Sequence, residues 1–179
     1  MTWRLEPLPL DGPIFDGAIA VYAEAFARAP YFDDDRGEDV RRRLIGYEWL
    51  RPGYNGVVAL TDAGEVGGLG YAYTGCPGQW WYDTVASQLD RSTKQRWMSD
   101  CCELVELAVA PELQGKGVGR LLMERLLSTR TEQTCVLSTH SQSSAVGFYS
   151  LLGFETIREM KFASNGADFA IMGKRLQTA

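Results

Sequence analysis

Apolar residues recur at two periods along the chain, and the changes between them mark out the elements. From Pro13 to Ala29, Ile14, Ala18, Val21, Tyr22, Ala25 and Phe26 follow helical spacing. Ala29-Pro30 predicts the end of that helix, since proline steers the preceding residue out of helical conformation. A second helix is predicted near Glu38 to Trp49, with Asp33, Asp34 and Asp35 leading into it and Arg41, Arg42 and Arg43 further along, an order that suits the helix dipole. Trp3 to Leu10 alternates loosely but contains Pro7 and Pro9, so it reads as an edge strand. Gly56–Thr61 and Val66–Tyr73 read as strands joined by the Asp62-Ala63-Gly64 turn, the second rich in glycine. From about 75 to 100 the pattern loosens around Trp80, Trp81, Tyr82 and Trp97, and a partly helical insertion is expected.

The second half is sharper. Cys102 to Ala110 is a strand stopped by Pro111, and Gln114 to Gly119 opens a helix that runs to about Thr129 with Leu121, Leu122, Leu126 and Leu127 apolar. A strand over Thr134–Thr139, a helix over Ser143–Leu152 ended by Gly153, and strands over Phe154–Phe162 and Asp168–Leu176 complete the order. There is no repeat or low-complexity linker. The expectation is a single mixed α/β (α+β) domain over residues 1–179, with its more sharply patterned half at about 101–179.

Composition narrows the function. The 179 residues suffice for a sizeable core, and the formal net charge of -5, from 18 basic and 23 acidic residues, argues against nucleic acid as the main partner. No apolar stretch approaches the roughly 20 residues of a membrane span, and the N-terminus lacks a signal-peptide pattern. Cys76, Cys101, Cys102 and Cys135 form no CxxC pair and His140 is the lone histidine, so neither a disulfide framework nor a metal site is expected. These features suit a reducing cytoplasm.

The residues richest in chemistry are Gln114, Gly115, Lys116, Gly117, Val118, Gly119 and Arg120, between a strand and a leucine-rich helix. Glycines let a backbone turn tightly and approach a ligand. The first N–H groups of a helix lack internal partners, and with the helix dipole they bind phosphate oxygens. Lys116 and Arg120 can add charge-assisted contacts at the rim. The segment is not GxxxxGK[ST], and its glycines are one position short of GxGxxG.

Here the chain resembles the GNAT superfamily of acyl-CoA-dependent N-acyltransferases. The pattern [QR]-x-x-G-x-[GA] is met by Gln114, Gly117 and Gly119. Ala145-Val146-Gly147-Phe148-Tyr149-Ser150-Leu151-Leu152-Gly153-Phe154 is similar to the family's A-x-x-[FL]-Y-x-x-x-G-F segment. Leu104 to Val109 resembles its central fourth strand, and Ile171 to Leu176 its last strand. The resemblance covers about the second half of the chain. It implies a central mixed, mostly antiparallel sheet flanked by helices, with splayed fourth and fifth strands and pantetheine in the opening.

It also implies roles. The backbone of Leu107, Ala108 and Val109 would meet pantetheine, and the turn from Gln114 to Arg120 the pyrophosphate of acetyl-CoA. Gln142 stands where relatives often carry an asparagine touching the CoA arm. Tyr149 would protonate the departing thiolate, or else only pack between helix and sheet. Glu103 is the first choice for a base that frees the acceptor amine; Glu106, three residues on and so on the opposite strand face, is the second, and water can replace both. The acceptor would be a small-molecule or peptide amine, with homodimerisation open. The alternative is a non-catalytic acyl-CoA-binding sensor or partner module.

Overall fold

The computed structural model describes residues 2–176. The expected domain limits of 1 and 179 therefore lie outside the described residues. Among the described residues, α-helices and β-strands occur in the order β1 (Arg4–Pro7), α1 (Gly12–Phe26), α2 (Arg36–Gly46), β2 (Asn55–Leu60), β3 (Val66–Gly75), α3 (Trp80–Ser87), α4 (Arg91–Met98), β4 (Cys101–Val109), α5 (Val118–Leu127), β5 (Thr134–His140), α6 (Ala145–Leu151), β6 (Glu155–Lys161) and β7 (Asp168–Arg175). The strands are ordered β1-β2-β3-β4-β5-β7-β6. β1 lies at an edge, where its one proline, Pro7, is tolerated. The β4–β5 ladder is parallel; β1–β2, β2–β3, β5–β7 and β6–β7 are antiparallel.

The chain forms two compact units, one up to Tyr73 plus Val105–Thr129, the other Thr74–Leu104 plus the residues from Arg130 on. In the first, α1 buries Phe15, Ala18, Ile19, Tyr22 and Phe26, one face at helical spacing, in a core with Val40 and Leu44 of α2, Val58 and Leu60 of β2, and Leu69 and Tyr71 of β3. The glycines of β3 have a packing reason. A Cβ at Gly68 would stand 2.8 Å from the Ala108 carbonyl oxygen and 3.1 Å from Leu122, and one at Gly70 would stand 2.9 Å from Leu107 and 3.0 Å from Leu126. Bare backbone there is what lets β4 and the leucine face of α5 come close.

In the second unit the segment expected as a partly helical insertion supplies core. Tyr82, Val85 and Ala86 of α3 and Trp97 and Met98 of α4 pack with Cys101, Val136, Met160 and Ile171. The Tyr82 hydroxyl donates to the Met98 carbonyl at 2.9 Å, and Asp90 caps α4 by accepting from the Ser92 and Thr93 N–H groups at 2.9 and 3.0 Å. β5 pairs with β7 along its full length, Thr134 to His140, whereas its ladder with β4 covers only Cys101–Glu103 against Thr134–Val136. That short parallel ladder is the pattern expected of a splayed fourth and fifth strand.

Candidate functional site

The glycine turn takes its shape from two left-handed residues. Gly115 has φ +73° and Gly117 φ +89°, values that a residue with a side chain adopts only at a cost. Gly117 is the N-cap of α5, and Leu121 donates the first main-chain bond of the helix to its carbonyl at 3.1 Å. The N–H groups of Val118, Gly119 and Arg120 thus open the helix with no intrahelical acceptor. A Cβ at Gly115 or Gly117 would meet no heavy atom within 4 Å, so the backbone lies open to a ligand. Gln114 ties the turn to β4: its side-chain amide donates to the Val109 carbonyl at 3.1 Å. The Ala110 N–H donates to the Gly67 carbonyl at 3.0 Å, which anchors the end of β4 on β3. Lys116 and Arg120 are exposed.

Gly115 carries more weight than its free place in the motif suggests. Its positive φ makes glycine a conformational requirement, and a regular expression has no access to a dihedral angle.

Tyr149 sits within the second unit on α6. Its ring is buried edge-on against Phe148 at 5.2 Å and Phe154 at 5.6 Å. The turn after α6 creates that contact: the Leu152 and Phe154 N–H groups both donate to the Tyr149 carbonyl, at 3.0 and 3.1 Å. Lys174 donates to the Leu152 carbonyl at 2.7 Å, a cation on the C-terminal end of the helix. Glu103 lies on β4 in register with Val136, and its side chain is buried. Gln142 is exposed in the turn before α6, where its N–H donates to His140 Nδ1 at 3.2 Å.

Glu106 is in a different setting. Arg43 reaches its carboxylate from α2 at 2.7 Å and also Glu48 at 2.7 Å and Asp39 at 2.9 Å. The Tyr71 hydroxyl donates to the other oxygen of Glu48 at 2.6 Å, and Arg36 lies 4.0 Å from Glu106 while its Nε donates to the Tyr22 hydroxyl at 2.9 Å. Burial pushes the Glu48 carboxyl above its ordinary range, against the lowering effect of Arg43 and Tyr71. Burial, and then the charges of Glu106 and Glu48, push the Tyr71 phenol far up. The second-choice base is therefore the anchor of a buried ion-pair network. Only Arg41, Arg42 and Arg43 hinted at it in sequence, and they read as one charged helix stretch. The hidden signal was that Arg43 shares a helix face with Val40 and Leu44, which are buried.

Residues 93–176 match the family model described as the acetyltransferase (GNAT) domain. That stretch of the chain is similar to the GNAT acetyltransferases. A GCN5-like protein acetyltransferase of Mycobacterium tuberculosis is 38% identical over 133 residues, a match that takes in 66% of this chain and 65% of that protein's length. A chloroplastic serotonin N-acetyltransferase 2 of Oryza sativa is 39% identical over 62 residues, 32% of this chain and 31% of its own. Among solved structures, a histone acetyltransferase HPA2-related acetyltransferase of Corynebacterium glutamicum superposes with a TM-score of 0.68 at 20% identity, covering 100% of this chain and 99% of that one. The PaiA N-acetyltransferase of Thermoplasma acidophilum, in complex with coenzyme A, gives 0.65 at 19% identity, with 98% and 99% covered. These two likenesses establish the GNAT fold. The GNAT match contains the glycine turn, Glu103, Glu106, Gln142 and Tyr149. Among the described residues no group of three His, Cys, Asp or Glu side chains could hold a metal ion, and no helix is long and apolar enough to cross a membrane.

Proposed function

We propose that this GNAT domain transfers an acetyl group from acetyl-CoA to an amine by direct attack on the thioester. The observation that carries the reading is the turn at Gly115 and Gly117, which leaves the first N–H groups of α5 uncovered at the end of β4. The residues fit a pyrophosphate: two left-handed glycines, an open approach, a positive helix end and two rim cations, Lys116 and Arg120. Acetyl-CoA supplies the activated thioester. The chain's contributions are the Gln114–Arg120 cradle, the backbone of Leu107, Ala108 and Val109 for the pantetheine amides, and a backbone N–H of β4 to stabilise negative charge on the carbonyl oxygen. Gln142 is assigned to the CoA arm and Tyr149 to the thiolate proton.

Glu103 is assigned to remove the amine proton, directly or through one water, and Glu106 to structure. The setting of Glu106 supports its structural assignment, since it already holds Arg43 at 2.7 Å. The named substrates of the relatives include proteins and serotonin, which favours an amine acceptor without choosing its size. Release of free CoA from acetyl-CoA across an amine library tests the reading. A protein that binds acetyl-CoA yet never releases CoA above the uncatalysed rate is a sensor or partner module.

Two variants test the parts. Gly117→Asp adds a side chain at a left-handed position and a negative charge at the helix end. CoA affinity should fall about 10-fold or more by calorimetry, and unchanged affinity in the folded variant would remove the pyrophosphate from this turn. Glu103→Gln keeps size and hydrogen bonding but removes the base. Its kcat/KM should drop near neutral pH and recover as pH rises, because a primary amine is increasingly neutral toward its own pKa. A pH–rate profile identical to the parent's assigns deprotonation to water.

A further inference from the structure

Within the second unit, four rings from four different segments stand in a row. Trp80, the first residue of α3, lies 5.6 Å from Phe162, which follows β6. Phe162 meets Phe169 of β7 edge-on at 5.1 Å, and Phe169 lies 5.8 Å from His140 at the end of β5. The row is anchored: the Trp81 indole N–H donates to the Ser138 hydroxyl at 2.9 Å, joining the start of α3 to β5 two residues before His140. Its inner members are half-buried, but Trp80 is 68% exposed although its neighbour is pinned and its ring lies tilted against Phe162. An indole held in place at the solvent boundary presents a preorganised π face.

The charges around the row favour a cation. The carboxylate of Asp83, one turn along α3 from Trp80, is exposed and accepts the Gly78 N–H at 3.0 Å, which fixes it near the start of that helix. Lys161, the lysine beside Phe162, pairs with Asp168 at 3.9 Å. Alternation along β7 turns Asp168 to the face opposite Phe169. The net charge of -5 steers cations toward the molecule as a whole.

We infer that Trp80, Phe162, Phe169 and His140 form the acceptor-recognition surface, and that the acceptor is an alkylammonium cation whose charge or methylenes lie on the indole of Trp80. The inference rests on the acyl-transfer reading for the word acceptor, but the cation site can be tested without turnover. Ring faces attract ammonium groups and have no such attraction for an uncharged isostere.

The probes are n-butylammonium and butan-1-ol, titrated separately and followed by NMR signals of the probe, against the parent chain, Trp80→Ala and Trp80→Phe. The parent should bind the cation more tightly than the alcohol. Trp80→Ala should weaken the cation by about five-fold, and Trp80→Phe should recover part of the loss because a ring remains. An exposed Trp80 makes both variants compatible with folding, which a thermal melt verifies. Equal binding of cation and alcohol, or parental cation affinity in Trp80→Ala, overturns the surface. CoA release is scored separately. Turnover that persists while Trp80→Ala binds the cation normally sinks the surface and spares the acyl-transfer reading. Cation binding through Trp80 with no CoA release from any amine keeps the cation site but rejects its role as an acceptor surface.

Discussion

Tyr149→Phe should lower kcat by about 10²- to 10⁴-fold, the usual contribution of a positioned general acid. The substitution isolates the hydroxyl. The ring keeps its edge contacts with Phe148 and Phe154, and the turn built on the Tyr149 carbonyl uses only main chain. Melting temperature and CoA affinity should therefore stay close to those of the parent. Single-turnover kinetics, which isolate the chemical step from product release, are the appropriate measurement. Near-parental single-turnover rates would reduce Tyr149 to a packing residue and leave solvent as the proton source.

Arg43→Met should be the most destabilising single change in the first unit. The guanidinium pairs with Glu48 and Glu106, whose side chains are only 4% and 8% exposed, and with Asp39. Removing it leaves buried carboxylates without their counter-charge, which typically costs about 3–5 kcal/mol. For a chain of this size that is a fall of about 6–20 °C in Tm. The deficit should depend on pH, and its sign follows from Glu48. Burial already raises that carboxyl, and Arg43 is the first of the effects opposing the rise. Without Arg43 the folded pKa climbs further above the unfolded one, so between the two values the folded state holds more protons and stability falls as pH rises. The Tm deficit should shrink on acidification from pH 8 toward pH 5. The triple variant Arg43→Met/Glu48→Gln/Glu106→Gln should regain much of the loss, since no ion is then left uncompensated. A deficit unchanged across that pH range would show that the cost is packing rather than charge.

The neighbourhood of Glu106 shows where sequence stops. Period-two alternation in β4 separates Glu103 from Glu106 by face, but it does not reveal what each face meets. Glu106 meets Arg43, 63 positions away along the chain, and Glu48 meets Tyr71, 23 positions away. Such pairings arise only when helices and strands pack, so a buried arginine and a solvated one look alike as letters. The aromatic row is similar. Trp80 and Trp97 read as irregular aromatic positions, yet Trp97 is core while Trp80 stands at the surface on Phe162.

What the chain declares by itself is local or periodic. Helical spacing announced α1 and α5, proline confined β1 to an edge, and the strand–glycine turn–helix order announced the turn that opens α5 through backbone rules that need no distant partner. The tertiary structure decided which glycines hold left-handed angles, which carboxylate is locked in an ion-pair network, and why β3 is poor in side chains. Each of these depends on which atoms, far apart in sequence, come within a few ångströms. Burial, and the charge balance that follows from it, are properties of that packing.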